Sequence, residues 1–105
     1  MDDYIIVTTL CDKKEIAENI QKVLLEKRLI AGCQISKRES SYWWNEKIEK
    51  STEYHLEMRT KKSLFKSIEQ EINKIHDYEV PEISFYSISN GNTQFLNWID
   101  KYTSK

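Results

Sequence analysis

The feature that most constrains this chain is a pair of long extended arms on either side of Asn45. From Ile48 to Thr60 the chain runs extended, with Tyr54, Leu56 and Met58 alternating with His55, Glu57 and Arg59. That is the period of a strand with one buried face. On the other side of the turn, Ile30–Ile35 reads as a strand, broken at the polar stretch Ser36–Glu39 and resuming from Ser40 to Trp44. Asn45-Glu46 supplies the turn. Asn tolerates left-handed backbone, but no Gly follows it to complete the strongest hairpin pair. Arms of this length overhang any sheet built from short strands, and their exposed backbone edges need a partner.

The rest of the chain falls into place around this hairpin. Residues 4–10, Tyr-Ile-Ile-Val-Thr-Thr-Leu, are continuous and β-branched, as in a central strand covered on at least one face. Asp12 with Glu15 three residues on is the pattern of a helix N-cap. Ile16, Ile20, Val23 and Leu24 then form one helical stripe that ends near Arg28. Leu64, Phe65, Ile68, Ile72 and Ile75 make a second stripe, closed by His76-Asp77 and stopped by Pro81. Ile83–Ile88 is another strand, Asn90-Gly91-Asn92 turns the chain, and Phe95, Leu96, Ile99 and Tyr102 trace a short last helix. The order β-α-β-β-α-β plus a terminal helix predicts an α+β, ferredoxin-like sandwich. Its first and third strands are central in an antiparallel sheet, and its helices lie on one face.

Composition narrows what such a fold can do. A chain of 105 residues is one domain, spanning 1–105, and its small size makes association with copies of itself helpful to stability. Sixteen basic and 17 acidic side chains are interspersed, for a net charge of −1, without the basic stripe of a nucleic-acid binder. The RNA-recognition fold shares this topology. Its third strand needs Gly and aromatics that Glu53–Arg59 lacks. No apolar run is long enough to cross a membrane. The start Met1-Asp2-Asp3 lacks the regions of a signal peptide, so the expected location is cytoplasmic. Cys11 and Cys33 match no zinc or redox spacing and are expected to be free thiols.

Several segments together carry a family resemblance. Val7-Thr8-Thr9 with Asp12, Glu26-Lys27-Arg28-Leu29-Ile30-Ala31-Gly32-Cys33, Ser41-Tyr42-Trp43-Trp44 with Lys47-Ile48-Glu49, and His76-Asp77-Tyr78-Glu79-Val80-Pro81-Glu82-Ile83 follow in order. Gly91-Asn92 and Phe95-Leu96-Asn97-Trp98 complete the set. Over nearly its whole length the chain resembles the CutA-like divalent-ion-tolerance family. The resemblance implies a tight homotrimer in which the long hairpin extends sheets across subunit boundaries. It further implies a role in tolerance to divalent metals, copper especially, or in signalling, and no enzymatic reaction. The chain departs from the family pattern at Asp77, usually Pro, and at the Asn45-Glu46 turn, which normally carries Gly. Thr8 stands where some relatives have Cys, and Ile75-His76 where they have a paired His-His.

Candidate site residues follow from both readings. His76, Glu79 and Glu82 combine an imidazole with carboxylates, donors suited to a divalent ion such as copper or zinc, with further ligands needed from another subunit. His76 has a second reading, as a cap on the helix C-terminus. Trp43, Lys47, Glu53 and Tyr78 are the expected lining of a cleft between subunits for a small ligand. The aromatic cluster Tyr42-Trp43-Trp44 equally suits an interface, with alternation pointing Trp43 away from its neighbours. His55 reads as exposed strand polarity and Cys33 as a buried small residue. Cys11, before a helix N-terminus, is either an activated or a plain surface thiol. No nucleophile–base constellation appears. Two functions stand: a trimer binding a metal or small ligand in intersubunit clefts, or a structural or signalling trimer that docks a partner protein.

Overall fold

A computed structural model describes residues 3–104; the Met1-Asp2 start and the terminal Lys105 lie outside that span. The elements are β1 (Tyr4–Cys11), α1 (Lys14–Glu26), β2 (Gly32–Trp44), β3 (Lys47–Lys61), α2 (Phe65–Ile75), β4 (Ile83–Ser87) and α3 (Thr93–Tyr102). A single 3₁₀ turn, Lys62–Leu64, joins β3 to α2. The four strands form one antiparallel sheet in the order β2-β3-β1-β4, so the first and third strands are central as expected.

Strand parity sorts the residues. Ile5, Val7, Leu56 and Met58 point to one face and are fully buried there. Ala17, Ile20 and Leu24 of α1 and Ile68 and Ile72 of α2 close over them in one cluster. Each large aliphatic side chain so buried contributes about 1.5–3 kcal/mol, which is what holds the helices on the sheet.

The third helix departs from the expected one-sided packing. Cys33 pairs with Met58 on the core face, so Gly32 beside it faces the other way. A Cβ on Gly32 would lie 2.8 Å from Cη2 of Trp98, a residue of α3. On that same opposite face, Tyr4 Oη donates to Asp100 at 2.6 Å and Lys61 Nζ donates to the Ser104 carbonyl at 2.9 Å. Helix α3 therefore covers one end of the face that α1 and α2 leave open, and Gly32 is the residue that lets the indole approach.

Three local readings are also corrected. The N-cap of α1 is Lys13, with no side-chain cap, and not Asp12. The helix so begins one residue later than an Asp12 cap would start it, and the Lys13 side chain reaches across to Asp77 at 2.7 Å. Strand β2 runs without a break from Gly32 to Trp44, because every residue of Ser36–Glu39 has a ladder partner on β3. It starts at Gly32, two residues later than Ile30, and Arg28 between helix and strand takes the left-handed conformation (φ 57°) that follows a helix end. Cys11 is fully buried in the core and is not a surface thiol.

The hairpin keeps its predicted length. Strand β1 meets β3 only from Tyr54 to Lys61, so Lys47–Glu53 pair with β2 alone, and β2 has no outer neighbour. This projection accompanies a long axis of 44 Å against 25 and 21 Å for the others. Asn45 and Glu46 both have positive φ, 51° and 62°, the backbone of a two-residue hairpin turn. Asn accepts that conformation readily; Glu46 carries a cost of about 1–2 kcal/mol there.

Candidate functional site

An open groove of about 870 Å³ lies between the projecting hairpin and the loop that follows α2. Its hairpin wall includes Tyr42, Trp43 and Trp44, and its loop wall includes Tyr78, Val80 and Glu82. Leu10, at the end of β1, also lines it. Of the four residues expected in a cleft, Trp43, Glu53 and Tyr78 line this groove. Lys47 does not; it sits opposite Trp44 at the turn end of the ladder, exposed.

The two hairpin faces are distinguished by register. Trp43 pairs with Ile48, whereas Tyr42 and Trp44 pair with Glu49 and Lys47 on the opposite side. Trp43 and Ile48 are the most exposed apolar pair of the hairpin, at 72% and 62%. Tyr42 Oη lies 3.2 Å from Ser51 Oγ, tying the ring across the strands.

The burial of Glu53 is the unexpected feature. The residue is only 4% exposed, although it stands on the strand face opposite the core. Tyr78 covers it, donating its hydroxyl to Glu53 Oε2 at 2.6 Å. Burial, and then this hydrogen bond to a carboxylate, push the Tyr78 phenol well above its ordinary pKa, so it stays protonated and donating.

His76 is held as a structural residue. Its side chain is 1% exposed. Nε2 is 2.6 Å from the Leu10 carbonyl, and Nδ1 is 3.2 Å from the Tyr78 amide. A carbonyl only accepts and an amide only donates, so the ring is neutral, with its proton on Nε2. Strand β4 begins opposite Thr9, and His76 meets the next carbonyl along β1. The predicted metal set His76, Glu79 and Glu82 does not assemble within the chain. Both imidazole nitrogens are engaged, Glu79 is exposed, and Glu82 Oε2 accepts from Ser84 Oγ at 3.1 Å. Among the described residues, no three His, Cys, Asp or Glu side chains converge as a metal site. A divalent ion therefore does not fit the donors of one chain.

The loop itself is tethered by Asp77. Its carboxylate receives Lys13 Nζ at 2.7 Å, and this bond holds Asp77 below the usual carboxylate pKa. Both thiols are chemically quiet: burial pushes Cys11 and Cys33 up to about 12. For Cys11, the carboxylates Asp77, Asp12 and Glu53 add to the effect, so the activated-thiol reading fails. His55 is partly buried, and its Nδ1 has no hydrogen-bond partner. Sequence periodicity does not find Glu53's burial or His76's two bonds, because both depend on a loop distant along the chain. The one signal present is the aromatic Tyr78 two residues after His76.

The comparisons agree with this architecture. Residues 5–102 match the family model described as CutA1 divalent ion tolerance protein. A protein of Pyrococcus horikoshii named divalent-cation tolerance protein CutA is 34% identical over 96% of this chain and 99% of its own length. The protein of that name from Archaeoglobus fulgidus is 37% identical over 96% of this chain and 97% of its own length. Among solved structures, CutA1 from Oryza sativa superposes with a TM-score of 0.94 at 28% identity, covering 98% of this chain and 95% of the other. The Archaeoglobus structure, described as a periplasmic divalent cation tolerance protein, gives 0.92 at 34% identity, covering 94% and 97%.

Proposed function

The chain belongs to the CutA1 divalent ion tolerance family, and from that premise we propose that it acts as a non-enzymatic homotrimer in the response to metal ions. The groove of each protomer becomes a cleft against its neighbour and takes up a small ligand or a divalent ion. The observation that carries this reading is the projecting hairpin. Lys47–Glu53 and the outer edge of β2 offer unpaired backbone, and Trp43 and Ile48 offer apolar surface beside it. Such edges are a liability in a lone molecule and are removed when three copies close in a ring. Copper or zinc enters this reading only with donors from a second protomer, added to the exposed Glu79 and Glu82. Calorimetric titration of the assembled protein with copper and zinc tests the ion. Saturable binding at micromolar metal, lost in Glu79→Gln/Glu82→Gln and spared in His76→Ala, supports it; no uptake removes the ion and leaves the small ligand.

A second reading, docking of a partner protein, is favoured by Val80, 68% exposed on the loop wall of the groove. Exchange protection at Trp43 and Val80 in the homotrimer alone would argue against it. The cytoplasmic placement goes with this proposal. The Archaeoglobus relative carries a periplasmic name, and cell fractionation decides the matter for this chain.

A further inference from the structure

Five carboxylates line the groove, from Glu39, Glu53, Asp77, Glu79 and Glu82, and no lysine, arginine or histidine does. One of the five, Asp77, has its own cation in Lys13. Among the described residues of one chain, Glu53 has none. It is buried, and its described bond is the neutral one from Tyr78. Arg38 stands directly opposite Glu53 in the ladder, yet its Nε points to Ser36 Oγ at 3.3 Å and no ion pair joins the two. A carboxylate taken out of water is costly unless a positive charge or several donors compensate it. The groove is also lined by Tyr42 and Trp44, on the same hairpin face as Glu53, and by Tyr78; the π faces of such rings attract cations. The volume, about 870 Å³, is that of a small-molecule site.

An inorganic divalent ion is a poor match for these features. It needs three or more donors at bonding distance, which one chain does not supply, and it has no use for aromatic walls. An organic ammonium ion uses both. Its charge answers Glu53 and its carbon body lies against the rings. We infer that the groove selects a small organic cation of the ammonium class, with Glu53 as its counter-charge and Tyr42, Trp44 and Tyr78 as its cage. Tyr78 holds the Glu53 carboxylate in place from the loop side, and Glu82 and Glu39 add negative potential along the walls. This deepens the proposed function and rests on its reading of the groove as a ligand site.

The test uses the intact, assembled protein and a matched pair of probes, benzylammonium and benzyl alcohol, which share a ring and differ in charge. Binding is followed by calorimetry and by ligand-observed NMR. Benzylammonium is expected to saturate the groove, with benzyl alcohol at least about tenfold weaker. Glu53→Gln, nearly isosteric, should weaken the amine about tenfold and leave the alcohol unchanged. If Glu53→Gln melts, Glu82→Gln and Trp44→Leu carry the same test, each expected to weaken the amine by about threefold. Equal binding of amine and alcohol overturns the inference and leaves the groove as a ligand site of another kind. Binding of copper or zinc without the amine overturns it in favour of an ion. Binding of none of these overturns both the inference and the groove reading beneath it.

Discussion

Replacing His76 by alanine separates a structural histidine from a metal ligand. The wild-type ring makes two hydrogen bonds in a nearly solvent-free position: Nε2 to the Leu10 carbonyl at 2.6 Å, and Nδ1 from the Tyr78 amide at 3.2 Å. Each contributes about 1 kcal/mol, and the stranded carbonyl or amide adds a desolvation cost of about 1 kcal/mol or more. Removing the ring also opens a void beside Tyr78, whose ring centroid is 4.7 Å away. The total is about 3 kcal/mol. For a domain of this size that lowers the melting midpoint by roughly 15 °C, as read by calorimetry or by urea unfolding under circular dichroism. Nitrogen-detected NMR of the wild type should show the Nε2-protonated neutral tautomer. A loss below about 0.5 kcal/mol, in the range of an ordinary surface change, would refute the structural assignment. Abolished copper or zinc binding in a stable, folded His76→Ala would refute it too.

Other outcomes follow from the same geometry. With thiol pKa values raised to about 12 by burial, Cys11 and Cys33 should resist alkylation at neutral pH and react promptly once urea unfolds the chain; equal rates in both states would contradict this. These thiols reach their unfolded value of 9.0 first, so their share of stability is complete below pH 9.0 and is lost as pH rises toward 12. Glu46→Gly relieves a left-handed glutamate at φ 62° and should stabilise the hairpin by about 1 kcal/mol, seen as a raised midpoint. Gly32→Ala places a Cβ 2.8 Å from Trp98 Cη2 and should cost about 1–3 kcal/mol, with partial recovery when Trp98 is shortened to Leu.

Much of the fold is legible in the chain because it is written in local periods. Residues 4–10 are continuous and β-branched, Tyr54, Leu56 and Met58 alternate with polar residues, Ile68 and Ile72 recur at helical spacing, and Pro81 ends what precedes it; each signal acts within a few residues. The polar stretch Ser36–Glu39 misleads because alternation reports burial, and a strand that leaves the core needs only ladder bonds to remain a strand. The position of α3 is hidden for a different reason. Its stripe states which face is apolar but not which side of the sheet receives it; the absent Cβ of Gly32 leaves room for Trp98 there, and the Tyr4–Asp100 bond joins the same face. At the groove, Trp43 and Tyr78 are visible as aromatics in a hairpin and a loop. Glu53 passes for a solvated charge until Tyr78, 25 residues later, closes over it. His76, Glu79 and Glu82 do not assemble within one chain because residue type proposes ligands, whereas hydrogen bonding decides whether a histidine nitrogen is free to be one.

On the proposed function, the projecting hairpin is completed by other copies of this chain. Light scattering coupled to size exclusion, at micromolar protein, measures that directly. The expected result is a single species of three times the 12.6 kDa protomer mass, shifting toward smaller species when Trp43 and Ile48 are both changed to Asp. A stable, folded wild-type monomer of 12.6 kDa would contradict it.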